Sequence, residues 1–475
     1  MRNKEMQMSM FDIYTDVSDS LENNKPKFFE LMEEYICWDE IVPESFYYAF
    51  YKSTGRDRYY SLDSFIAILI LQRVFGYTED SQLLNTLRFS KEMRDFCGLK
   101  KVPHASQLTR FKQTFTDELK RMLAFLVDLT EPICKEINAE LADCLVFDTT
   151  GIESYVAENN PKFMASVLKQ AKSIAKIDPN FNPYTGMYRL LPSSAASNPA
   201  VKQQYINGHF CYAQKAAIVT NALGIVRHVS FFDEDFKEKH PNMLIEKRSD
   251  NPDIDKEIGD STSLKPVLQD FFSLHPQLNY KTFLGDSSFD SYDNYKLLLK
   301  ELHFDKAIIP LNLRNSAKAS SVEFDEHGRP LCPQNGDPMT YLAKCGGKNR
   351  SVRLKWVCPK SKQVGTTRVC SCENPCTSSS YGRCVYTYPD KNLRLYPGIG
   401  RDSEAWIKFY KSRVTVERSI SSLKYSFCLT GRKTSNSLTT KADLLLASIV
   451  QLIGVLLAKA VGDLKSFRKI RKLIA

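Results

Sequence analysis

The chain has 475 residues, of which 43% are hydrophobic, so it can hold two to four domains with sizeable cores, and disorder throughout is not expected. The first residues, MRNKEMQMSMFDIYTD, lack the continuous apolar core of a signal peptide, and we therefore expect a cytoplasmic protein. The longest apolar run, residues 444–461, is interrupted by Ser448, Gln451 and Lys459, which favours a buried helix over a membrane span.

The net charge of +10 is unevenly distributed along the chain. Residues 314–475 contain 29 Lys and Arg against 11 Asp and Glu, whereas residues 1–313 contain 36 basic and 44 acidic residues. A basic third joined to a mildly acidic remainder indicates that a polyanion binds to one part of the protein, and nucleic acid is the commonest such partner. A basic surface that simply faces solvent is the alternative.

Residues 1–140 are predicted to form a helical amino-terminal region. Apolar residues recur at helical spacing in SLDSFIAILILQRVFG and in SQLTRFKQTFTDELKRMLAFLVDLT, and Gly and Pro separate the runs. Arg110 and Lys112 in the second run could face DNA or only solvent, and we find no convincing helix-turn-helix pattern.

Residues 141–312 are predicted to form a mixed sheet with helices packed on it. CLVFDTTG, residues 144–151, is typical of a buried strand, and a polar, partly helical segment follows from Lys162 to Asn207. HFCYAQKAAIVTNALGIVRHVSFFD then indicates two strands joined by a turn at 221–224. A helix, the strand KTFLGDSSFD, a second helix and the strand KAIIPLN complete the pattern, which is typical of an α/β fold.

Residues 313–400 are predicted to form an inserted, cysteine-rich subdomain with short strands such as VRLKWVC, because the segment is too long for a plain connection. Seven cysteines fall between residues 332 and 384, and in a protein that is not exported they are reduced thiols or metal ligands. The spacing of Cys370, Cys372, Cys376 and Cys384 is not a standard zinc knuckle, although four thiolates could bind one Zn²⁺.

Residues 401–475 are predicted to be helical, and a helix over 403–427 carries one acid among many bases. At about 100° per residue, Tyr410, Arg413, Glu417 and Lys424 share an arc of roughly 60° beside an apolar stripe. Arg418, with Thr415 and Ser419, lies on the remaining polar face. The spacing of Arg413 and Glu417 is compatible with a simple intrahelical ion pair.

Two further acids change that interpretation. Asp148 and Asp286 each lie where a predicted strand ends, and the carboxyl ends of strands in α/β sheets are where reactive groups collect. If both meet Glu417, the three carboxylates need cations, and hard oxygen ligands suit Mg²⁺ or Mn²⁺. Two such ions about 3.5–4 Å apart can carry out phosphoryl transfer.

The spacing Tyr410-x2-Arg413-x3-Glu417-x6-Lys424 resembles the Y-R-E-K signature of DDE transposases from bacterial insertion sequences. The segments VFDTTG and FLGDSSFDSYDNY resemble the two other acidic motifs of that family, in the same order, so the resemblance covers residues from about 142 to the end. Relatives often have a small residue and a Tyr where this chain has Ser287, Ser288 and Phe289, which leaves Asp290 and Asp293 as competitors for the second acid.

The resemblance implies an RNase H-like catalytic domain in which Asp148, Asp286 and Glu417 hold two divalent ions. It also implies that Arg413 and Lys424 contact phosphates near the cleaved transposon end and that Tyr410 positions the strand. Arg418 is a further candidate DNA contact. Trp356, in the insertion, either stacks on a flipped base, as in some relatives, or packs within the subdomain.

The expected partners are terminal inverted repeats and target DNA, with a homodimer assembled on the DNA. The helices of 1–140 would recognise the repeats or mediate dimerisation. The function implied is an endonuclease that cuts at the element's ends and then joins the freed 3′-hydroxyl to target DNA. A nuclease that does not transfer strands and a domesticated, non-catalytic DNA-binding protein are the alternatives.

Overall fold

The structure is a computed structural model that describes residues 9–11, 13–15, 17, 18, 27–52, 54, 57–206, 209–243, 258–312, 322–347, 350–468 and 470. Within these residues a mixed sheet has the amino-terminal and carboxyl-terminal helices packed together on one face and further helices on the other. The α/β class expected from the sequence is therefore confirmed.

The amino-terminal region is built round one central helix. The helices between residues 27 and 142 are α1 (Lys27–Tyr35), α2 (Trp38–Ile41), α3 (Glu44–Phe50), α4 (Leu62–Val74), α5 (Asp80–Phe89), α6 (Lys91–Phe96), α7 (Ala105–Thr114) and α8 (Thr116–Ala142). Ser61 caps α4 by accepting a hydrogen bond from the Ser64 amide. Because every residue of α4 except Asp63 is buried, the other helices pack round it.

The sheet contains strands of both directions. Its members are β1 (Cys144–Glu153), β2 (Ser194–Ala195), β3 (Asn198–Ile206), β4 (His209–Asn221), β5 (Val226–Phe231), β6 (Thr282–Leu284) and β7 (Lys306–Ile308). The order is β2-β3-β4-β1-β6-β7, and β5 pairs with β4. β4 runs antiparallel to β1, whereas β6 is parallel to both β1 and β7. The sequence missed β3, because its polar residues resemble those of the preceding helical segment.

Successive residues of β1 enter two different cores, as a buried strand requires. Val146 packs in the large core shared with the amino-terminal helices, and Leu145 and Phe147 pack in a second core on the other face. Helices and helical turns connect the strands. They are α9 (Pro161–Ala175), α10 (Pro183–Leu190), α11 (Glu234–Lys239), α12 (Asp260–Leu274), α13 (Tyr292–Lys296) and a π-helical turn over Leu297–Glu301.

The insertion contains two small sheets. β8 (Thr340–Gly347), β9 (Arg350–Val357) and β12 (Cys384–Thr387) form a three-stranded antiparallel sheet, and β10 (Ser361–Val364) pairs with β11 (Thr367–Cys370).

The predicted helix over 403–427 is interrupted. It consists of α14 (Glu404–Lys411), α15 (Val414–Ser421) and a π-helical turn over Ser422–Ser426. The expected solvent face is also partly wrong, since Thr415 and Ser419 are 7% and 3% exposed. The reason is a neighbour that the sequence pattern does not reveal: Gln451 donates a hydrogen bond to the Ser419 hydroxyl.

Gln451 belongs to α16 (Ser437–Ala460), a long and largely apolar helix. By length and composition α16 could cross a membrane, but 89% of its most apolar stretch is buried inside the protein. The expectation of a buried helix over this segment agrees with the structure.

A buried ion network joins α16 to the amino-terminal region. Asp443 of α16, which is 1% exposed, accepts hydrogen bonds from Arg73 at 2.5 Å, Lys112 at 3.2 Å and Arg432 at 3.1 Å. Arg73 lies in α4, Lys112 in α7, and Arg432 in the segment that follows the π-helical turn. Burial alone would raise the pKa of Asp443, but the three cations lower it.

The substitution Asp443→Asn should destabilise the protein by about 3–5 kcal/mol, because it leaves buried cations without their counter-charge. For the wild type, a lowered folded-state pKa means that the stabilisation is present above pH of about 4 and is lost as the pH falls below it. Urea unfolding as a function of pH would measure both effects.

Asp390→Asn is the matched control, because Asp390 is exposed, and it should change stability by no more than about 0.5 kcal/mol. Equal unfolding midpoints for the two variants at pH 7 would contradict a structural role for the network.

Candidate active site

The parallel pairing of β1 with β6 determines where two of the predicted acids lie. The paired residues end at Val146 and Leu284. Asp148 and Asp286 each come two positions after that last pair. Both carboxylates therefore lie at the same edge of the sheet, as the sequence predicted.

The third predicted acid reaches the same place from the helical layer. Glu417 lies in the first turn of α15, which packs against β1 and β4. Arg413 Nη1 is 2.5 Å from Glu417 Oε1, and Arg413 Nη2 is 3.5 Å from Oδ2 of both Asp148 and Asp286. The guanidinium of Arg413 thus contacts all three carboxylates. The intrahelical ion pair with Glu417 and the cluster of three acids, which the sequence offered as alternatives, are both present in the structure.

The site is electrostatically asymmetric. Burial, with a contribution from Asp286, raises the pKa of Asp148 to about 6, although Arg413 opposes the shift. Burial would lower the pKa of Arg413, but the three carboxylates raise it. The Asp148 side chain is only 20% exposed, against 35% for Asp286 and 49% for Glu417. The charge on Asp148 is therefore the one that most needs a cation nearby.

Asp286 is held in place by Ser288, two positions further along the chain. Its Oδ1 accepts hydrogen bonds from the amide and the hydroxyl of Ser288, at 2.7 and 2.5 Å. Its Oδ2 remains directed at Arg413. The sequence did not reveal the role of Ser288, but an acid that precedes a serine by two positions is a recognisable capping pattern.

The two competitors for the second acid lie elsewhere. Asp290 is fully buried and accepts hydrogen bonds from Arg394 and from the amide of Asn312. Asp293 is exposed in the first turn of α13. Asp286 is therefore the acid that the structure brings to Asp148 and Glu417.

The aromatic and basic residues of the predicted signature surround this cluster. The Tyr410 ring stacks on Trp406, with ring centroids 4.8 Å apart. Burial, with smaller contributions from Asp286 and Glu417, raises the pKa of the Tyr410 hydroxyl, although Arg413 opposes the shift. The sequence pattern did not single out Trp406. Its position four residues before Tyr410 places the two rings on the same side of a helix, and this spacing could have identified it. Arg418 is exposed on the outer face of α15.

Lys424 is 5% exposed and lies within the electrostatic reach of Asp148, Glu153 and Cys211. Burial lowers the pKa of its ammonium group, and those neighbours oppose the shift. Lys424 lies in the π-helical turn and is buried there.

A family model matches a part of the chain that lies outside the carboxylate cluster. Residues 16–114 match the family model of a transposase domain, DUF772. The match covers about a fifth of the chain and includes α1 to α7. It lies entirely outside the carboxylate cluster, so the chemistry of the cluster rests on its own geometry.

No curated protein matches the chain. Among solved structures, the chain is similar to a piggyBac transposase in a synaptic complex with hairpin DNA, determined by cryo-EM. The two are 12% identical, the TM-score is 0.37, and the alignment covers 96% of this chain and 80% of the other.

A group of potential metal ligands with closer spacing than the three carboxylates adjoins the site. In the described part of the chain, the ligand atoms of Glu153, His209 and Cys211 all lie within 4.8 Å of one another. Because Lys424 lies close to Cys211 and Glu153, a second cation here would be repelled. We interpret this group as the surroundings of Lys424.

The structure places Trp356 inside the insertion. The indole is 6% exposed, donates a hydrogen bond to the Thr387 hydroxyl at 2.8 Å and packs edge-on against Tyr341. These contacts correspond to the packing alternative, and stacking on a flipped base stays a prediction that requires the ring to leave this position.

Asp148→Asn should stabilise the protein in a chelating buffer. A folded-state pKa of about 6, above the ordinary value of about 3.9, means that ionising Asp148 costs folding free energy as the pH rises from about 4 to 6. Above that window the amide should add on the order of 1–3 kcal/mol of stability, and at pH below 4 the difference should vanish.

Thermal unfolding with excess EDTA at pH 3.5 and pH 7.5 would measure this difference. Asp293→Asn, at an exposed site, is the control and should leave the midpoint unchanged. A lower midpoint for Asp148→Asn at pH 7.5 would show that the ion pair with Arg413 outweighs the cost of burial.

Proposed function

We propose that the chain is a DDE transposase of an insertion sequence, which cuts the DNA at the ends of the element and transfers the freed 3′-hydroxyl to target DNA in the cytoplasm. The observation that carries the proposal is the contact of Arg413 with three carboxylates contributed by β1, by the turn after β6 and by α15. The transposase family match over residues 16–114 supports it independently.

The carboxylate cluster fits divalent metal ions. Its donors are hard oxygens, which suit Mg²⁺ or Mn²⁺, and it already accommodates a cation, the Arg413 guanidinium. Asp148, Asp286 and Glu417 would hold two ions. When bound, such ions stabilise the attacking and leaving oxygens of an in-line phosphoryl transfer.

The basic residues beside the cluster are suited to the DNA backbone. The guanidinium of Arg413 can bind a phosphate in a bidentate manner. The ammonium of Lys424 makes no described hydrogen bond or ion pair in the part of the chain that the structure covers, and it is held near Asp148 by the packing of its own helix. Both residues would therefore fix a phosphate next to the carboxylates and offset charge that develops during the reaction.

The stacked pair of Tyr410 and Trp406 forms an aromatic surface on α14. Tyr410 would position the strand that is cut, because an aromatic ring tolerates any base or sugar that packs on it. Arg418, exposed on α15, is suited to a more distant phosphate.

The sheet supports an RNase H-like assignment. The strand that bears the first aspartate has antiparallel β4 on one side and parallel β6 on the other, and helices cover both faces. The two ends of an element must be processed together, so we propose that two copies of the chain assemble on DNA.

Alanine at Asp148, Asp286 or Glu417 should each reduce Mg²⁺-dependent cleavage by at least about a hundredfold, because several kcal/mol of transition-state stabilisation are lost. The assay uses a labelled duplex that carries the DNA flanking the gene, and products are separated on a denaturing gel.

Asp293→Ala, an exposed carboxylate seven residues from Asp286, should retain full activity. Wild-type activity in any one of the three alanine variants would overturn the proposed site. Cleavage without joined products would instead indicate a nuclease that does not transfer strands.

A further inference from the structure

The insertion has little apolar core of its own. In the described part of the chain, none of the four apolar clusters includes a residue between 322 and 387. The buried apolar side chains there are few, among them Met339, Trp356 and Val357. Small folds of this kind usually need a disulfide or a metal ion to be stable.

Four cysteines of the insertion come together in space. Cys358 lies against Cys370 and near Cys332, and Cys376 lies against Cys332. Cys332 and Cys358 are 6% and 4% exposed, and all are free thiols. The cysteines are separated by up to 44 positions in the sequence, so their proximity is a product of the fold.

Gly382 shows how tightly this cluster is enclosed. Its φ is +86°, and a Cβ added there would lie 3.2 Å from the Cβ of Cys370 and 3.3 Å from the Cβ of Cys358. The glycine therefore allows the loop before β12 to close over both cysteines.

The backbone makes local turns at two of the cysteines. The amide of Lys360 donates a hydrogen bond to the sulfur of Cys358, and the amide of Ser361 donates to the Cys358 carbonyl at 3.0 Å. After Cys332 the chain makes a similar turn, in which the Gly336 amide donates to the Cys332 carbonyl at 2.9 Å. These turns help to hold both cysteines in place within the cluster.

We propose that Cys332, Cys358, Cys370 and Cys376 bind one structural zinc ion. Four thiolates are a common ligand set for structural Zn²⁺. In the structure the sulfurs form two contacting pairs, and no three of them all lie within 4.8 Å of one another. Binding would thus draw the pairs together to Zn–S distances of about 2.3 Å.

This set differs from the four consecutive cysteines considered in the sequence. Cys372 and Cys384 are not members, because the sulfur of Cys372 faces the Asn374 carbonyl at 3.6 Å and Cys384 lies near Lys355. The ion would join the ends of β9 and β11 to Cys332 and to the loop that contains Cys376. It would replace the apolar core that the insertion lacks.

The test is the zinc content of the full-length protein purified without added zinc. About one zinc per chain is expected, and Cys332→Ser and Cys370→Ser should each lose it. The matched controls Cys372→Ser and Cys384→Ser should keep it. Absence of stoichiometric zinc in the wild type would overturn the assignment. So would a loss of zinc from Cys372→Ser and Cys384→Ser as large as the loss from Cys332→Ser and Cys370→Ser.

A measurement on the wild type covers the case in which the serine variants do not fold. Replacement of zinc by Co²⁺ should give the intense absorption of a tetrahedral thiolate site. A chelator should lower the unfolding temperature, and Zn²⁺ but not Mg²⁺ should restore it. A cobalt spectrum without thiolate bands would refute the proposal.

A second feature, in the amino-terminal region, stands on separate observations. A cleft of about 810 Å³ is lined by Arg88, Arg94, Lys100 and Lys101, together with Tyr59 and Tyr60, and among the described residues no carboxylate lines it. It lies wholly within the segment that matches the transposase domain. We call this feature the basic cleft.

The cations of the basic cleft are available to a ligand. Arg94 is held in place by one guanidinium nitrogen, which donates to the carbonyls of Leu87 and Arg88 at 2.9 and 2.7 Å. Arg88, Lys100 and Lys101 are exposed. A concave surface with charge of one sign concentrates the field on an anion.

We infer that the basic cleft binds the phosphate backbone of duplex DNA, an inference that rests on the proposed function. Tyr59, which is 68% exposed, can pack on a sugar or a base beside the phosphates. The amino-terminal region would then hold DNA at a distance from the carboxylates, so that binding and cleavage are separate.

The test compares Lys100→Glu/Lys101→Glu with a control of equal charge change, Lys169→Glu/Lys176→Glu, on exposed residues of and after α9. The probes are a fluorescent duplex from the DNA flanking the gene and a shuffled duplex of equal length. The cleft variant should bind at least tenfold more weakly. The slope of its log binding constant against log salt concentration should be smaller in magnitude by roughly 1–2.

The outcomes separate the two ideas. Equal binding by the cleft variant and the control would refute the role of the basic cleft and leave the proposed function intact. Failure of the wild type to bind either duplex would refute the proposed function itself.

Discussion

The buried carboxylate of Asp443 is the interaction on which the arrangement of the chain depends. It binds cations from α4, from α7 and from the segment that follows the helix of Glu417. An isolated buried ion pair contributes little net stability, but removing one partner is very costly. Such a network therefore specifies one geometry: the amino-terminal helices, α16 and the end of the glutamate helix cannot move independently.

The ion network also constrains the candidate active site, because α16 contacts the elements that carry the site. Gln451 donates hydrogen bonds to the Ser419 hydroxyl and to the Gly224 carbonyl, and its own carbonyl accepts from the amide of Val226. These contacts fix α15 against the turn between β4 and β5. Because β4 pairs with β1, Glu417 is held in register with Asp148, although the two residues are far apart in the sequence.

The sequence predicted what depends on local pattern and missed what depends on neighbours. The strand that bears Asp148 and the β4–β5 hairpin follow from apolar runs and a Gly turn. The three acids follow from spacing and from the ends of strands. The break in the helix at 412–413, the burial of Ser419 and the pairing of the cysteines are set by residues that lie elsewhere in the chain. A helical wheel assumes one regular helix with one outer face, and here α16 covers part of that face.

The π-helical turn over Ser422–Ser426 illustrates how the fold accommodates charge at the site. π-Helical turns are unfavourable and occur frequently at functional sites, and this one places the Lys424 ammonium in a buried position near Asp148. The guanidinium of Arg413 contacts all three carboxylates of the site. Residues held in such costly arrangements persist because the surrounding structure fixes them.

Bound cations would relieve the repulsion among the carboxylates, and a bound phosphate would relieve the repulsion between Lys424 and Arg413. The metal ions are positively charged and the phosphate is negatively charged, so the binding of each should favour the binding of the other.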